Sequence, residues 1–161
     1  MKVVGFIGEP ASGKSTYMRE LMEGFGESEL KEEGMVKYHE FREQKAFVLG
    51  IYDDQVFSGT DRLSKAVGPK FRDWLTKLNS NPFYKDWTVY WEGERLSNNP
   101  SIQHMLKTCE TQLYLIKAPE EVLDERNKNR SNQNETWRKG MRTRIKNLCK
   151  KYPIYGTIKT A

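Results

Sequence analysis

The stretch GEPASGKS at residues 8–15 decides the fold of this 161-residue chain. It fits the pattern G-x-x-x-x-G-K-S/T at every fixed position. The apolar run VVGFI at 3–7 predicts a buried strand before it, and KSTYMRELMEG at 14–24 has the spacing of a helix. A strand, a glycine-bounded loop and a helix in this order turn backbone N–H groups and a helix N-terminus toward one anion. We therefore predict that this segment binds phosphate.

The loop residues have separate predicted roles in holding a nucleotide. Lys14 is placed to reach the β- and γ-phosphates, and the hydroxyl of Ser15 is placed to coordinate Mg²⁺. A glycine-rich turn without a ligand is the alternative, and the strand and helix on either side argue against it. The residues predicted to bind the nucleotide are Gly8, Glu9, Pro10, Ala11, Ser12, Gly13, Lys14, Ser15 and Thr16.

Charge is unevenly distributed along the chain, whose formal net charge is +5. Residues 1–60 carry 7 basic and 11 acidic side chains, whereas residues 61–161 carry 20 and 11. Within the second part, residues 126–151 hold 10 basic side chains and one acid, Glu135. Such a cluster can bind the phosphates of a nucleotide or of a nucleic acid, or it can form a solvated helix face.

Composition is that of an ordinary globular protein. Hydrophobic residues make up 37% of the chain and charged residues 30%, and no apolar run approaches the roughly 20 residues that span a membrane. The N-terminus lacks the pattern of a secretory signal peptide. Cys109 and Cys149 are far apart and lack metal-ligand spacing, which indicates two free thiols. We expect a cytoplasmic protein without a membrane partner.

Strands and helices alternate along the rest of the chain. The alternation predicts one α/β domain over 1–161, with a mostly parallel five-stranded sheet and helices on both faces. Residues 25–34 are predicted as a loop or weak helix, and the last ten residues as a tail of uncertain structure. The further strands are predicted at 36–41, 46–52, 87–93 and 112–118, and the further helices at 64–79, 99–109, 119–130 and 137–151.

The segment VYWEGER at 89–95 indicates a kinase among the phosphate-loop proteins. The chain lacks the guanine-reading N-K-x-D motif of switch GTPases and the Asp-terminated apolar strand of motor ATPases. An apolar strand followed by E-G-x-R is similar to small nucleoside and nucleotide kinases. Glu92 is predicted to hold Mg²⁺ or contact the acceptor, with a strand-end cap as the alternative. Arg95 is predicted to hold an anionic acceptor.

Four arginines predict a lid at about residues 126–142. Arg126 and Arg130 lie four apart and therefore share a helix face, and Arg138 and Arg142 repeat this spacing after a polar break. Arginines stabilise the charge that spreads over a transferred phosphoryl group, and a lid excludes water. These parts together predict a three-layer P-loop kinase fold with a helical lid.

Three carboxylates are candidates for the base that takes a proton from the acceptor hydroxyl. Asp53 and Asp54 follow a predicted strand, and Asp61 lies in GTDR at 59–62. In parallel sheets, ligands gather beyond the carboxyl ends of the strands. We favour Asp61, because the adjacent Arg62 could fix the acceptor while Asp61 takes the proton. Asp61 is also a candidate helix N-cap, and Asp53 stays a candidate substrate contact.

Three segments resemble a family of bacteriophage phosphate-loop kinases that act on DNA bases. They are the block from Gly50 to GTDRLS at 59–64, the EGERL stretch at 92–96, and WRKGMRTRIKNL at 137–148. Members of that family phosphorylate 5-hydroxymethyluracil in phage DNA, as a step toward hypermodified thymidines. The resemblance implies ATP as donor, Mg²⁺ as cofactor, modified DNA as partner and the cytoplasm of an infected bacterium as location.

Four aromatic residues lie in or near the predicted site segments: Tyr52, Phe57, Trp91 and Trp137. One of them could stack on a base flipped out of a duplex, and core packing is the alternative for each. A small nucleoside-monophosphate or metabolite kinase needs the same lid arginines, so it stays open as a second function. A non-catalytic nucleotide-binding module is the third.

Overall fold

A computed structural model describes residues 1–53, 58–128 and 134–160. Strands and helices alternate along these ranges, as the sequence predicts, with two short 3₁₀ turns at Thr60–Arg62 and Pro82–Tyr84. The strands are β1 Lys2–Ile7, β2 Glu29–Glu33, β3 Val36–Phe41, β4 Ala46–Leu49, β5 Thr88–Glu92, β6 Glu110–Lys117 and β7 Gly156–Lys159. The helices are α1 Lys14–Phe25, α2 Val67–Asn79, α3 Asn99–Thr108, α4 Glu120–Lys128 and α5 Glu135–Lys151.

The described strands form one seven-stranded sheet in the order β2-β3-β4-β5-β1-β6-β7. Strands β4, β5, β1, β6 and β7 are parallel to one another, whereas β3 pairs antiparallel with both β2 and β4. The prediction of five strands was wrong, because it missed both edges of the sheet. The expected loop at 25–34 contains β2, and the expected tail contains β7. Edge strands of this kind expose charged side chains and therefore lack the apolar pattern of a central strand.

Two other boundaries differ from the sequence prediction. The strand predicted at 46–52 ends at Leu49, because Gly50 has a φ of 97° and turns the chain. A Cβ at Gly50 would lie 2.0 Å from the carbonyl carbon of Gly59, so the turn requires glycine. Ile51 then forms an isolated bridge with Gly59. The helix predicted at 64–79 begins at Val67, with Pro69 in its first turn.

Hydrophobic clusters on both faces of the sheet confirm the three-layer arrangement. One cluster joins the strands to α2, α3 and α5, and the other packs α1 through Met18 against the opposite face. Trp91 is fully buried in the first cluster, and its ring occupies the space that a Cβ at Gly5 would need. Truncating a buried aromatic of this size costs about 3–5 kcal/mol. Trp91 therefore anchors the end of β5, where the next residue is Glu92.

Within the described ranges, no helix is both long enough and apolar enough to cross a bilayer.

Candidate active site

A cleft lies where the carboxyl ends of β1 and β5 meet. These two strands are parallel neighbours, with Phe6 opposite Glu92. The loop after β1 lines one wall, and every predicted nucleotide-binding residue except Glu9 contributes to it. The facing wall comes from the segments after β4 and β5 and from α5. Its residues are Ser58, Asp61, Glu92, Gly93, Glu94, Ser97, Trp137, Met141 and Ile145.

The loop has the geometry expected for binding an anion. Gly13 has a φ of 100° and caps α1 at its N-terminus, so backbone N–H groups of the first turn converge at the loop. The ammonium group of Lys14 donates to the carbonyl oxygens of Gly8 and Glu9 at 2.9 Å each. The hydroxyl of Ser12 is buried without a hydrogen-bond partner among the described residues. These groups fit the phosphates of a nucleotide.

Glu92 is the buried acid at the centre of the cleft. Its side chain is only 1% exposed, and its Oε1 accepts hydrogen bonds from Ser15 Oγ at 3.0 Å and Tyr52 Oη at 2.8 Å. A hydroxyl and a carboxylate this close form an oxygen donor pair of the kind that Mg²⁺ prefers. Over the described ranges, no cluster of three or more His, Cys, Asp or Glu side chains forms a metal cage. One carboxylate and a hydroxyl suffice for Mg²⁺, which usually keeps waters and phosphate oxygens as its other ligands.

Burial raises the pKa of Glu92 from its usual 4.5 to about 7. The ammonium of Lys14 lowers this pKa and the carboxylate of Asp61 raises it, while the hydrogen bonds from Tyr52 and Ser15 favour the charged form. The net effect shows that desolvation outweighs the favourable contacts. Removing water from a carboxylate disfavours its charge.

The raised pKa of Glu92 predicts that the free energy of unfolding of the Mg²⁺-free protein depends on pH. When the pKa of a carboxyl is higher in the folded than in the unfolded state, the protein loses stability as the pH rises through the interval between the two values, here from 4.5 to about 7. The side chain of the Glu92→Gln variant stays neutral at every pH. The free energy of unfolding of this variant, relative to that of the wild type, should therefore rise by up to about 3 kcal/mol across this range. Urea unfolding at pH 5 and pH 8 measures the difference. The predicted loss of stability would be contradicted if the difference between variant and wild type did not change with pH, or if the exposed control Glu125→Gln showed the same change.

Gly59 allows the segment after β4 to pack directly against Glu92. It has a φ of 73°, and a Cβ there would lie 2.1 Å from Glu92 Oε1 and 2.7 Å from Tyr52 Oη. Its backbone pairs with Ile51, with N···O distances of 2.8 and 3.1 Å. The position therefore requires glycine both for its backbone conformation and for space.

Gly59→Ala should consequently destabilise the protein. The positive φ alone costs about 1–3 kcal/mol for a residue with a Cβ, and the displaced Glu92 adds to this. Gly24→Ala is the matched control, because nothing lies within 4 Å of a Cβ built on that α1 residue. The control should raise the free energy of unfolding by about 0.5–1 kcal/mol. Equal denaturant midpoints for the two variants would show that Gly59 does not hold this packing.

Asp61 lines the same cleft as the phosphate loop and is half-buried. Its Oδ1 accepts a hydrogen bond from the backbone N–H of Glu94 at 3.1 Å. The neighbouring Thr60 donates through Oγ1 to the carbonyl oxygen of Glu92 at 2.7 Å. Gly93, at a φ of 110°, leaves room for both side chains. The turn at Thr60–Arg62 is therefore fixed to the end of β5, and the Asp61 carboxylate is held in the cleft.

The other predicted acceptor residues lie outside the cleft lining. Arg62 forms an ion pair with Asp53, its Nη1 lying 2.7 and 2.8 Å from the two carboxylate oxygens. Asp53 is exposed, and its backbone oxygen accepts from Arg19 at 2.7 Å. Arg95 donates through Nε to the carbonyl oxygen of Leu63 at 3.2 Å. Asp54, the third candidate base, lies outside the described residues.

Of the three predicted lid arginines that the structure describes, two contact the phosphate loop. Arg126 donates to the carbonyl oxygen of Ala11 at 2.9 Å, and Arg142 donates to the Glu9 carboxylate at 2.7 Å. Arg142 also pairs with Glu120 at 3.3 Å. Arg138 instead pairs with Asp124 at 2.8 Å, which joins α5 to α4. Arg130 lies outside the described residues.

Sequence reasoning missed several residues of the cleft. Met141 and Ile145 extend the stripe that Trp137 begins, at the i, i+4, i+8 spacing of one helix face. This apolar stripe on an otherwise basic helix was a signal that could have identified them. Glu94 and Ser97 carry no comparable pattern. Among the four aromatics, Trp91 is core and Tyr52 bonds to Glu92, whereas Phe57 lies outside the described residues.

A three-layer α/β fold with a phosphate loop, a buried strand-end acid and a second carboxylate in the cleft defines a phosphate-loop protein of the kinase class. The model of the family P-loop Nucleotide Kinase3 matches residues 1–158, and the chain belongs to this family. Its members typically bind a nucleotide with Mg²⁺, and membership indicates a nucleotide or nucleoside kinase activity. A search of curated proteins found no significant match.

Proposed function

We propose that the protein transfers the γ-phosphate of ATP, with Mg²⁺, to the hydroxymethyl group of 5-hydroxymethyluracil in phage DNA. The observation that carries a kinase reaction is the position of Asp61, a half-buried carboxylate in the same cleft as Lys14 and Ser15. The choice of acceptor is supported by the resemblance of the GTDRLS block at 59–64 to the bacteriophage kinases that act on DNA bases, and by the chemistry of the facing wall.

The residues divide the reaction between donor and acceptor. Lys14 and the loop N–H groups hold the phosphates, and Ser15 and Glu92 would hold Mg²⁺, which when bound neutralises charge on the phosphates. Asp61 accepts the proton of the acceptor hydroxyl. The hydroxyl oxygen then forms the new P–O bond while the bond to ADP breaks.

The charges on the facing wall favour an uncharged acceptor. Asp61 and Glu94 both line that wall, and among the lining residues that the structure describes Lys14 is the one basic side chain. An acceptor bearing its own phosphate would lie near the carboxylate of Asp61 and near that of Glu94, which pairs with Arg144 at 3.4 Å. Like charges in a partly buried site repel, and the single ion pair offsets only one of the two carboxylates. A hydroxymethyl group on a neutral base avoids this cost.

Trp137 adds a surface for a planar acceptor. Its side chain is half-buried and lines the cleft beside Met141. Aromatic side chains stack on bases with about 1–3 kcal/mol per base, and enzymes that modify a base take it out of the helical stack. Trp137 is the aromatic residue that would receive the base in this proposal.

A small-molecule kinase acting on a nucleoside or nucleoside monophosphate is the second candidate. The family description favours it, since it names a nucleotide kinase without a DNA acceptor. The same loop, Asp61 and Glu92 would serve that reaction. The two candidates therefore differ in the acceptor and not in the donor side of the cleft.

An acceptor panel separates these candidates. The protein is incubated with γ-labelled ATP and Mg²⁺, together with hydroxymethyluracil DNA, ordinary DNA, free nucleosides or nucleoside monophosphates. The proposal predicts label on the modified DNA. Label only on free nucleotides would replace it by the second candidate. ATP binding without any transfer would indicate a non-catalytic nucleotide-binding module.

A further inference from the structure

A second concave surface lies between the N-terminal end of α3 and the outer side of α5. Polar and basic side chains line this α3–α5 groove, and it holds no acidic residue among those that the structure describes. Its charged residues are Arg144 and Lys151, Asn147 lies between them on α5, and Thr143 directly precedes Arg144. A surface with cations and polar groups but without carboxylates suits a polyanion.

The groove is continuous with the active-site cleft. Helix α5 lines the cleft through Trp137, Met141 and Ile145, and it lines the groove through residues on the adjacent stripe of the same helix. Arg144 lies in the groove and reaches Glu94 of the cleft, with Nη1 3.4 Å from the carboxylate. A chain that leaves the cleft beside Trp137 would therefore meet the groove next.

Contacts within the groove leave several donors for a ligand. Tyr152 donates through Oη to Asn99 Oδ1 at 2.7 Å, so the amide NH₂ of Asn99 remains as a donor. Nothing lies within 4 Å of a Cβ built on Gly140, which leaves the backbone of α5 open to close approach. Lys151 is exposed at the far end. From Trp137 to Lys151 the helix rises about 21 Å, at 1.5 Å per residue, which is enough to follow several nucleotides.

We propose that the α3–α5 groove binds the sugar-phosphate backbone of the DNA strand whose base enters the cleft. The inference rests on the proposed function for the identity of that base, and on charge and continuity for the path of the strand. Backbone contacts of this kind position a nucleic acid without reading its sequence. The groove then explains how an acidic acceptor wall acts on a polyanion: the reactive base lies at the carboxylates and the phosphates lie at the cations.

Kinetics on two acceptors test the groove. The acceptors are a single-stranded oligonucleotide of about twelve nucleotides with one 5-hydroxymethyluracil, a length exceeding the span of α5, and the free nucleoside. Lys151→Gln and Asn147→Asp should raise KM several-fold for the oligonucleotide and leave kcat/KM for the nucleoside unchanged. Lys107→Gln, an exposed lysine at the other end of α3, is the matched control. The proposal that the groove binds DNA would be overturned if the substitutions changed the kinetics on both acceptors equally, or if Lys107→Gln had the same effect as they do.

Binding measurements keep the test independent of the reaction. Fluorescence anisotropy with a labelled unmodified strand, at several salt concentrations, should show that Lys151→Gln reduces the slope of log Kd against log salt by about 0.7. Lys107→Gln should leave the slope as in the wild type. If no acceptor is phosphorylated but this difference in slope is found, the proposed reaction fails and the groove stands. If Lys151→Gln binds DNA as the wild type does, the groove is wrong whatever the reaction.

Discussion

Asp61→Asn is expected to lower the rate of phosphate transfer by about 10²–10⁴-fold, the contribution typical of a positioned base. The amide cannot take the proton, yet its oxygen can still accept the hydrogen bond from the Glu94 N–H. ATP affinity should therefore stay near that of the wild type. Single-turnover transfer and equilibrium binding of a fluorescent ATP analogue measure the two quantities separately.

Two matched substitutions test whether the effect belongs to Asp61 alone. Asp53→Asn removes the carboxylate charge that pairs with Arg62 outside the cleft, and it should leave the transfer rate within a small factor of the wild type. Asp54→Asn tests the third candidate base. A loss of ATP binding in Asp61→Asn would assign Asp61 to the metal or the fold. A collapse of transfer in Asp53→Asn or Asp54→Asn would move the base to that residue.

Lys14→Ala should damage both halves of the reaction. The substitution removes the ammonium that we propose contacts the phosphates, together with its two hydrogen bonds to loop carbonyls. Removing one donor that stabilises transition-state charge costs about 10²–10³-fold in rate, and weaker nucleotide binding should accompany it. Isothermal titration with ATP and Mg²⁺, alongside initial rates, measures both losses.

The exposed Lys70 on α2 provides the control for charge alone. Lys70→Ala should bind ATP and transfer phosphate as the wild type does. Lys14→Ala and Asp61→Asn then form a contrasting pair, because one loses nucleotide affinity and the other does not. Retention of full ATP affinity in Lys14→Ala would contradict the assignment of the loop as the donor site.

The central strands could be predicted from the sequence because they are buried on both faces. VVGFI at 3–7 is an uninterrupted apolar run, and β5 carries the fully buried Trp91 directly before its last residue, Glu92. The edges could not be predicted on this basis. β2 reads ELKEE, and β7 reads GTIK and alternates between half-buried and exposed residues. Their positions depend on pairing with distant strands, which periodicity does not report.

The phosphate-loop side of the cleft followed from a local motif, whereas the position of Asp61 opposite the loop required the fold. The motif at 8–15 places Lys14 and Ser15 by sequence spacing alone. The apposition of Asp61 to the loop depends on Thr60 and the N–H of Glu94, which join segments more than thirty residues apart. A local pattern identifies the turn but does not determine what the turn faces.

The arginines show why charge patterns assign roles poorly. Helical spacing predicted correctly that the described lid arginines lie on α4 and α5, but it could not identify their partners. Arg142 pairs with Glu9 and Arg138 with Asp124, and Arg62 is held by Asp53. Each ion pair depends on where a distant or exposed carboxylate lies after folding. The partners of these arginines thus became apparent only in three dimensions.

The proposed function requires that phosphate is transferred to a hydroxymethyl group on a DNA base. Mass spectrometry tests it directly, after reaction of the protein, ATP and Mg²⁺ with an oligonucleotide that contains 5-hydroxymethyluracil and blocked 5′ and 3′ hydroxyls. The DNA is digested to nucleosides under conditions that leave the phosphate ester on the base intact. This should yield deoxyuridine that carries a phosphorylated 5-hydroxymethyl group with the wild-type protein, and none with Asp61→Asn. Recovery of only the unmodified 5-hydroxymethyl nucleoside, together with rapid phosphorylation of a free nucleoside or nucleotide, would contradict the proposed function.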